Sequence, residues 1–169
     1  MAEPGTRGVA LGGFMGVGKS TVGRLLADRL GLPFVDMDQV LARRHGPIAD
    51  QFQRDGEAAF RAREAALVKE LCGGPPIVLA TGGGTWMDPS NRQALQERFH
   101  TVVLQASLAE LRARIGEGAD RPLWDDGVEA RYHARRSAYA RADHVVDTTG
   151  LPAVAVVEEV VRWTSSAST

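Results

Sequence analysis

At 169 residues, 44% hydrophobic and 24% charged, the chain has the size and balance of one soluble globular domain able to bury a sizeable core. Twenty basic against 21 acidic residues leave a net charge of −1, so no overall field draws it to nucleic acid or to a membrane surface. The single cysteine, Cys72, excludes a disulfide framework within the chain and gives no metal pattern, and it reads as a small buried hydrophobe. No apolar run reaches the roughly 18 residues that a membrane span needs, and residues 1–7 lack the apolar stretch of a signal peptide. The expectation is a cytoplasmic protein that binds neither nucleic acid nor membrane. No feature demands a partner chain, so a monomer is expected.

Val9-Ala10-Leu11 is a short apolar run that reads as a buried strand. It leads into Gly13-Phe14-Met15-Gly16-Val17-Gly18-Lys19-Ser20-Thr21, which fits the pattern G-x-x-x-x-G-K-[ST] from Gly13 to Ser20. Behind it, Val22, Leu25, Leu26, Arg29 and Leu30 fall at helical spacing, with Gly31 as a stop. Strand, glycine loop and helix, in that order, make a phosphate-binding loop. Glycines let the backbone approach phosphates and turn its N–H groups inward. The helix start adds a positive dipole end. Lys19 supplies a point charge for β- and γ-phosphates, and the Ser20 hydroxyl is a ligand for Mg²⁺. ATP and Mg²⁺ are therefore expected, with Gly16, Val17, Gly18, Lys19, Ser20 and Thr21 as the nucleotide cradle.

Further along, Leu32-Pro33-Phe34-Val35 is a second short strand with Asp36-Met37-Asp38 at its carboxyl end, the sheet edge where ligands bind in open α/β folds. A helix starts near Val40 and breaks at Gly46-Pro47; a short helical piece covers 48–54, and 58–71 is a strong helix rich in Ala, Glu, Arg and Leu. Ile77-Val78-Leu79-Ala80 is a third strand, closed by Thr81-Gly82-Gly83-Gly84. Asp88 caps a helix with Pro89 in its first turn, Thr101-Val102-Val103-Leu104 is a fourth strand, and Ser107 caps a helix to about Ile115. Residues 116–127 form the longest irregular stretch, the position of a lid. An Arg- and Ala-rich helix follows over 128–141, then His144-Val145-Val146-Asp147 as a fifth strand. A last helix has Val156, Val157, Val160 and Val161 on its apolar face, and residues 164–169 read as a fraying polar tail. Strands alternating with helices imply a parallel sheet covered on both faces.

Asp36 and Asp38 stand two apart at a strand end. The third strand ends in Thr81, without a carboxylate, so Asp36 is the candidate to support Mg²⁺ through water and Asp38 the one to accept a proton from a substrate hydroxyl. The competing reading has both merely capping a helix. Arg61 and Glu64, three apart on one helix, make a guanidinium held by a carboxylate, a stiff anchor for a substrate carboxylate or phosphate. The glycines after the third strand permit close backbone approach to a ligand and positive φ. Arg114, Arg121, Arg131, Arg135, Arg136 and Arg141 make the last third basic, and the residues alone do not choose among them. The four histidines lack metal-ligand spacing.

Taken together, Gly12 to Arg24, Asp36-Met37-Asp38, Ile48-Ala49-Asp50-Gln51-Phe52, Asp55-Gly56-Glu57, Phe60-Arg61, Glu64, Ala80-Thr81-Gly82-Gly83-Gly84, Asn91-Arg92, Arg121-Pro122-Leu123 and Arg135 with Tyr139 resemble the shikimate kinase family. The resemblance implies a three-layer α/β/α P-loop kinase of the nucleoside-monophosphate-kinase-like kind, with a five-stranded parallel sheet in the order 2-3-1-4-5. It implies one domain over 1–169, with substrate-binding helices at about 38–72 and a lid at about 116–127. The implied reaction is ATP-dependent phosphorylation of the 3-hydroxyl of shikimate, on the route to chorismate and the aromatic amino acids. Carried over, Asp38 binds the shikimate hydroxyls, Arg61 and Arg135 grip its carboxylate, with Arg136 a rival to Arg135, and Gly83, flanked by Gly82 and Gly84, contacts the ring hydroxyls by its backbone. Arg121 is the lid arginine at the ATP phosphates, a catalytic residue with Lys19 and Asp38, and Arg114 lies near the adenine. Departures include Trp124 after Arg-Pro-Leu and the absence of a basic residue in Thr148-Thr149-Gly150-Leu151. A kinase for another hydroxy acid such as gluconate, or for a nucleotide, is the alternative within the same chemistry. A nucleotide-binding module without catalysis is opposed by Lys19, Ser20, Asp36, Asp38 and Arg121.

Overall fold

The computed structural model describes residues 6–115 and 126–168. Five short strands form one parallel sheet in the order β2-β3-β1-β4-β5. The chain runs β1 (Gly8–Gly13), α1 (Lys19–Leu30), β2 (Phe34–Asp36), α2 (Met37–His45), α3 (Ile48–Asp55) and α4 (Glu57–Cys72). It continues through β3 (Val78–Ala80), a 3₁₀ turn (Thr85–Met87), α5 (Pro89–Arg98), β4 (Phe99–Gln105) and α6 (Leu108–Ile115), and ends with α7 (Val128–Tyr139), β5 (His144–Asp147) and α8 (Ala153–Ala167). The expected sheet order is the observed one.

The three central strands β3, β1 and β4 are buried along nearly their whole length because both faces are covered. Val9, Ala10 and Leu11 of β1, Val78 and Leu79 of β3, and Val102, Val103 and Leu104 of β4 are all at most 1% exposed. Helices contribute Leu26, Leu67, Leu95, Leu111, Val156 and Val160 to the same core. A crossover from β1 leftward to β2 and one from β3 rightward to β4 place α1 and α5 on opposite faces, since both are right-handed. That reversal opens a cleft at the carboxyl edge beyond β1. Register brings the site to this edge: Asp36 of β2 pairs with Ala80 of β3, which pairs with Leu11 of β1, just before the glycine loop.

Three local expectations need correction. The glycines after β3 do not use positive φ, and a 3₁₀ turn over Thr85–Met87 follows them, too short to leave a periodic pattern. The C-terminal segment is helical to Ala167 rather than frayed: Thr164 lies one turn beyond Val160 on the buried face, and the hydroxyls of Thr164 and Ser165 donate to the Val161 carbonyl. Cys72 is only half-buried, its thiol donating to the Ala94 carbonyl, and burial pushes that thiol upward in pKa. Trp163 packs with two of the four histidines, His144 stacked on the indole at 4.9 Å and His100 edge-on at 5.7 Å. Among the described residues, no helix is long and apolar enough to cross a membrane.

Candidate active site

The glycine loop owes its shape to three positive-φ glycines, Gly13, Gly16 and Gly18 at 139°, 82° and 100°. A side chain at Gly13 would strike the Leu104 carbonyl of the adjoining strand. The Lys19 ammonium donates to the carbonyls of Gly13 at 2.5 Å and Phe14 at 3.2 Å, which holds it across the loop mouth. Ser20 follows it in the first turn of α1, and its hydroxyl donates to Asp36 Oδ2 at 2.6 Å. The other Asp36 oxygen accepts from the backbone N–H groups of Asp38 and Gln39, capping α2. Asp36 therefore caps α2, as the competing reading has it, and also accepts from Ser20, whereas the Asp38 carboxylate caps nothing.

Around this loop is a cavity of about 310 Å³ lined by Gly16, Gly18, Lys19, Ser20, Thr21, Asp36, Asp38, Gly83 and Arg114 among others. Val17 differs from its neighbours: its side chain is buried in the core, and its carbonyl accepts from Arg114. Arg114 also donates to the Thr148 carbonyl and to Glu110, so it ties the loop to the β5–α8 connection where no basic residue stands. Gly150 N–H donates to the same Glu110, and that contact, with Arg114, holds the carboxyl below its usual range.

A second cavity of about 450 Å³ adjoins the first, lined by Asp38, Arg61, Glu64, Gly82, Gly83, Gly84 and Arg135, with Phe52, Phe60, Ile48 and Met15 as apolar walls. Met15, Asp38 and Gly83 line both cavities, so the two meet there. Arg61 is braced as the three-residue spacing implies. Its Nη1 donates to Glu64 Oε1 at 2.9 Å, and Thr85 Oγ1 donates to the other oxygen at 2.8 Å. Glu64 is 1% exposed, so the brace is fixed in the interior. The guanidinium lies over the Phe60 ring at 5.4 Å.

Arg135 comes from α7 and is 6% exposed, with its guanidinium over Phe14 at 5.4 Å. Its Nη1 is buried and has no hydrogen-bond partner among the described residues. A buried orphan cationic donor is costly unless an anion completes it. The neighbouring Arg136 is exposed and does not line this cavity. Tyr139, one turn on, donates to the Gly83 carbonyl at 2.5 Å, and burial raises its pKa to about 12.

The glycine triplet is explained by close approach. A Cβ at Gly82 would lie 2.8 Å from Glu64 Oε2, one at Gly83 2.8 Å from Arg135 Nη1, and one at Gly84 2.5 Å from Arg61 Nη1. Both guanidiniums and their brace occupy the space that three side chains would take. Asp38 sits against Gly82 where the two cavities meet, and it is open to the cleft. Burial raises its pKa, Lys19 pulls it down, Asp36 and Glu64 push it up further, and Arg61 lowers it.

Thr85 and Trp86 have no functional reading in the sequence, yet both support the site. Trp86 is fully buried against Gly12, and its indole N–H donates to Thr81 Oγ1 at 2.8 Å. Asn91 and Arg92 fasten the turn through the carbonyls of Thr85 and Trp86. The expected lid, apart from residues 126 and 127, lies outside the described residues, and Arg121 and Trp124 with it.

A family model for shikimate kinase matches residues 15–165. The chain belongs to the shikimate kinase family. It is 42% identical to the shikimate kinase of Geobacter sulfurreducens over 93% of this chain and 90% of that relative. It is 45% identical to the shikimate kinase of Burkholderia pseudomallei over 84% of this chain and 80% of the relative. In three dimensions it is similar to the shikimate kinase from Acinetobacter baumannii in complex with shikimate, with a TM-score of 0.86 and 32% identity over 96% of this chain and 95% of that one. A gluconokinase from Sinorhizobium meliloti, at TM-score 0.63 and 19% identity, shares the fold alone. Membership in the shikimate kinase family makes this chain an ATP-dependent small-molecule kinase.

Proposed function

We propose that the two adjoining cavities hold ATP and shikimate, and that the 3-hydroxyl of shikimate meets the γ-phosphoryl group beside Asp38. The orphan Nη1 of Arg135 carries this reading, because a buried guanidinium nitrogen calls for an anion and shikimate has a carboxylate. Arg61 and Arg135 grip that carboxylate at the far end of the second cavity, and Asp38 and the Gly83 backbone face the ring hydroxyls at the near end. The 3-hydroxyl oxygen attacks the γ-phosphorus, the bond to the β–γ bridging oxygen breaks, and the hydroxyl proton passes to Asp38. A carboxyl raised by burial is a stronger base than a solvated one, which suits that role.

Lys19 swings from the carbonyls of Gly13 and Phe14 to the β- and γ-phosphates, where its charge offsets what develops in transfer. The Ser20 hydroxyl and the Asp36 carboxylate, 2.6 Å apart, are hard oxygen donors that suit Mg²⁺, Ser20 directly and Asp36 through water. Bound there, Mg²⁺ supplies charge neutralisation on the phosphates. Arg114 holds the adenine side of the nucleotide cavity, Arg121 reaches the phosphates from a lid at 116–127, and 38–72 forms the substrate-binding part. Arg61→Lys keeps the charge and loses the planar fork, so it should raise the KM for shikimate and leave the KM for ATP nearly unchanged. The reverse pattern would remove the pocket assignment.

A further inference from the structure

The fork of Arg61 has two carboxylate partners of opposite character. Nη1 is fixed to Glu64, which is buried and anchored again by Thr85. Nη2 lies 3.6 Å from Oε1 of Glu57, one turn earlier in α4, too long for a hydrogen bond, and the Glu57 side chain is 69% exposed. Glu57 does not line the substrate cavity. It lines a third cavity of about 460 Å³ on the outer side of the same guanidinium, with Glu64, Asp88, Arg131 and Arg135. The guanidinium is therefore a wall between two cavities, held firmly from within and loosely from outside.

We propose that Glu57 is a competing carboxylate that weakens the hold of Arg61 on the substrate. The inference rests on Arg61 gripping the substrate carboxylate. Without substrate, Nη2 has Glu57 as its charged partner. A carboxylate entering the inner cavity must share or displace that contact, and it then lies near a second negative charge. Glu57 thus tunes affinity for the acid substrate without touching it, and the two outcomes expected of a brake follow: removing its charge tightens binding, and reversing its charge tightens it more.

The test is steady-state kinetics on the full chain. Glu57→Gln should lower the KM for shikimate about two- to fivefold, the scale of one exposed ion pair, with kcat and the KM for ATP unchanged. Glu57→Lys should lower it further, and raising ionic strength should shrink both effects. Glu57 also lies in the first turn of α4, where a negative charge favours the helix. Glu57→Asp keeps that charge while retracting it from Arg61, so it should lower the KM with the helix intact. A KM for shikimate that is unchanged or raised across the three variants overturns the inference. If Arg61→Lys still raises that KM, only Glu57 loses its role; if Arg61→Lys is silent too, the carboxylate assignment itself fails.

Discussion

Gly84→Ala is the sharpest probe of how the backbone shapes the substrate cavity. Gly84 has φ −95° and ψ −4°, a conformation alanine adopts freely, so backbone strain does not enter. A methyl group there would stand 2.5 Å from Nη1, 2.6 Å from Nη2 and 2.7 Å from Cζ of Arg61. Relief to ordinary contact moves the guanidinium by about 0.7–0.9 Å. Arg61 cannot slide that far and keep its 2.9 Å bond to Glu64, because Glu64 is buried and also bound by Thr85. Misplacing a substrate-positioning group by about 1 Å costs on the order of 10²-fold. The expected result is a KM for shikimate raised by up to about that factor, with the KM for ATP moved little, since Gly84 does not line the nucleotide cavity. Stability should stay within about 1 kcal/mol, as the lower entropy of the unfolded alanine chain offsets the displaced side chain. Kinetics with each substrate varied in turn, together with a thermal melt, make the assay. A folded Gly84→Ala enzyme with an unaltered KM for shikimate would refute the reasoning that the glycine makes room for a substrate-binding arginine.

Lys19→Ala should fold normally, since Lys19 opens α1 outside the core and alanine favours a helix, and should lose about 10²-fold or more in kcat in the same assay. Asp38→Asn should do two opposite things. It should abolish most turnover, and it should raise Tm slightly, by removing a charge whose surroundings favour its protonated form. The sign follows from linkage: with the folded pKa above the unfolded one, wild-type stability falls as pH rises through the raised pKa, and the Asn variant should lack that slope in pH-dependent melts. Kcat of the wild type should fall as Asp38 protonates, at a pH above the usual carboxylate range. Asp55 behaves in the other direction, held at about 2 by Arg54 and Arg63. The stability it contributes is full above about pH 4, where the unfolded carboxyl is ionised, and is lost as pH falls towards 2. Asp55→Asn should flatten that acid limb in a denaturant titration.

The amino-acid sequence makes much of this legible. The apolar runs at Val9, Ile77 and Thr101 mark strands because a parallel sheet covered on both faces leaves no alternation to confuse them. The glycine loop, Asp36, Asp38, and the Arg61–Glu64 pair are readable from local spacing. What is not readable depends on side-chain direction and long-range contact. Arg135 and Arg136 differ in sequence by nothing, yet adjacent helical residues point about 100° apart. The signal lies in the company Arg135 keeps, since Ala138 and Tyr139 lie three and four residues on and are buried on its face. Thr85 and Trp86 sit in a three-residue turn with no period, and their partners Glu64 and Thr81 are fixed only by the packing of α4 and β3. Glycines 82, 83 and 84 are legible as a site of close approach, but not as the places vacated for Glu64, Arg135 and Arg61.

The central claim is that one cavity is shaped for a carboxylate at one end and hydroxyls at the other. Its most direct test is a coupled ADP-release assay with ATP held saturating and shikimate, gluconate and nucleoside monophosphates compared as acceptors. Turnover with shikimate, at a kcat/KM several orders of magnitude above the other acceptors, is the predicted result. Comparable or greater kcat/KM with gluconate or a nucleotide would contradict it.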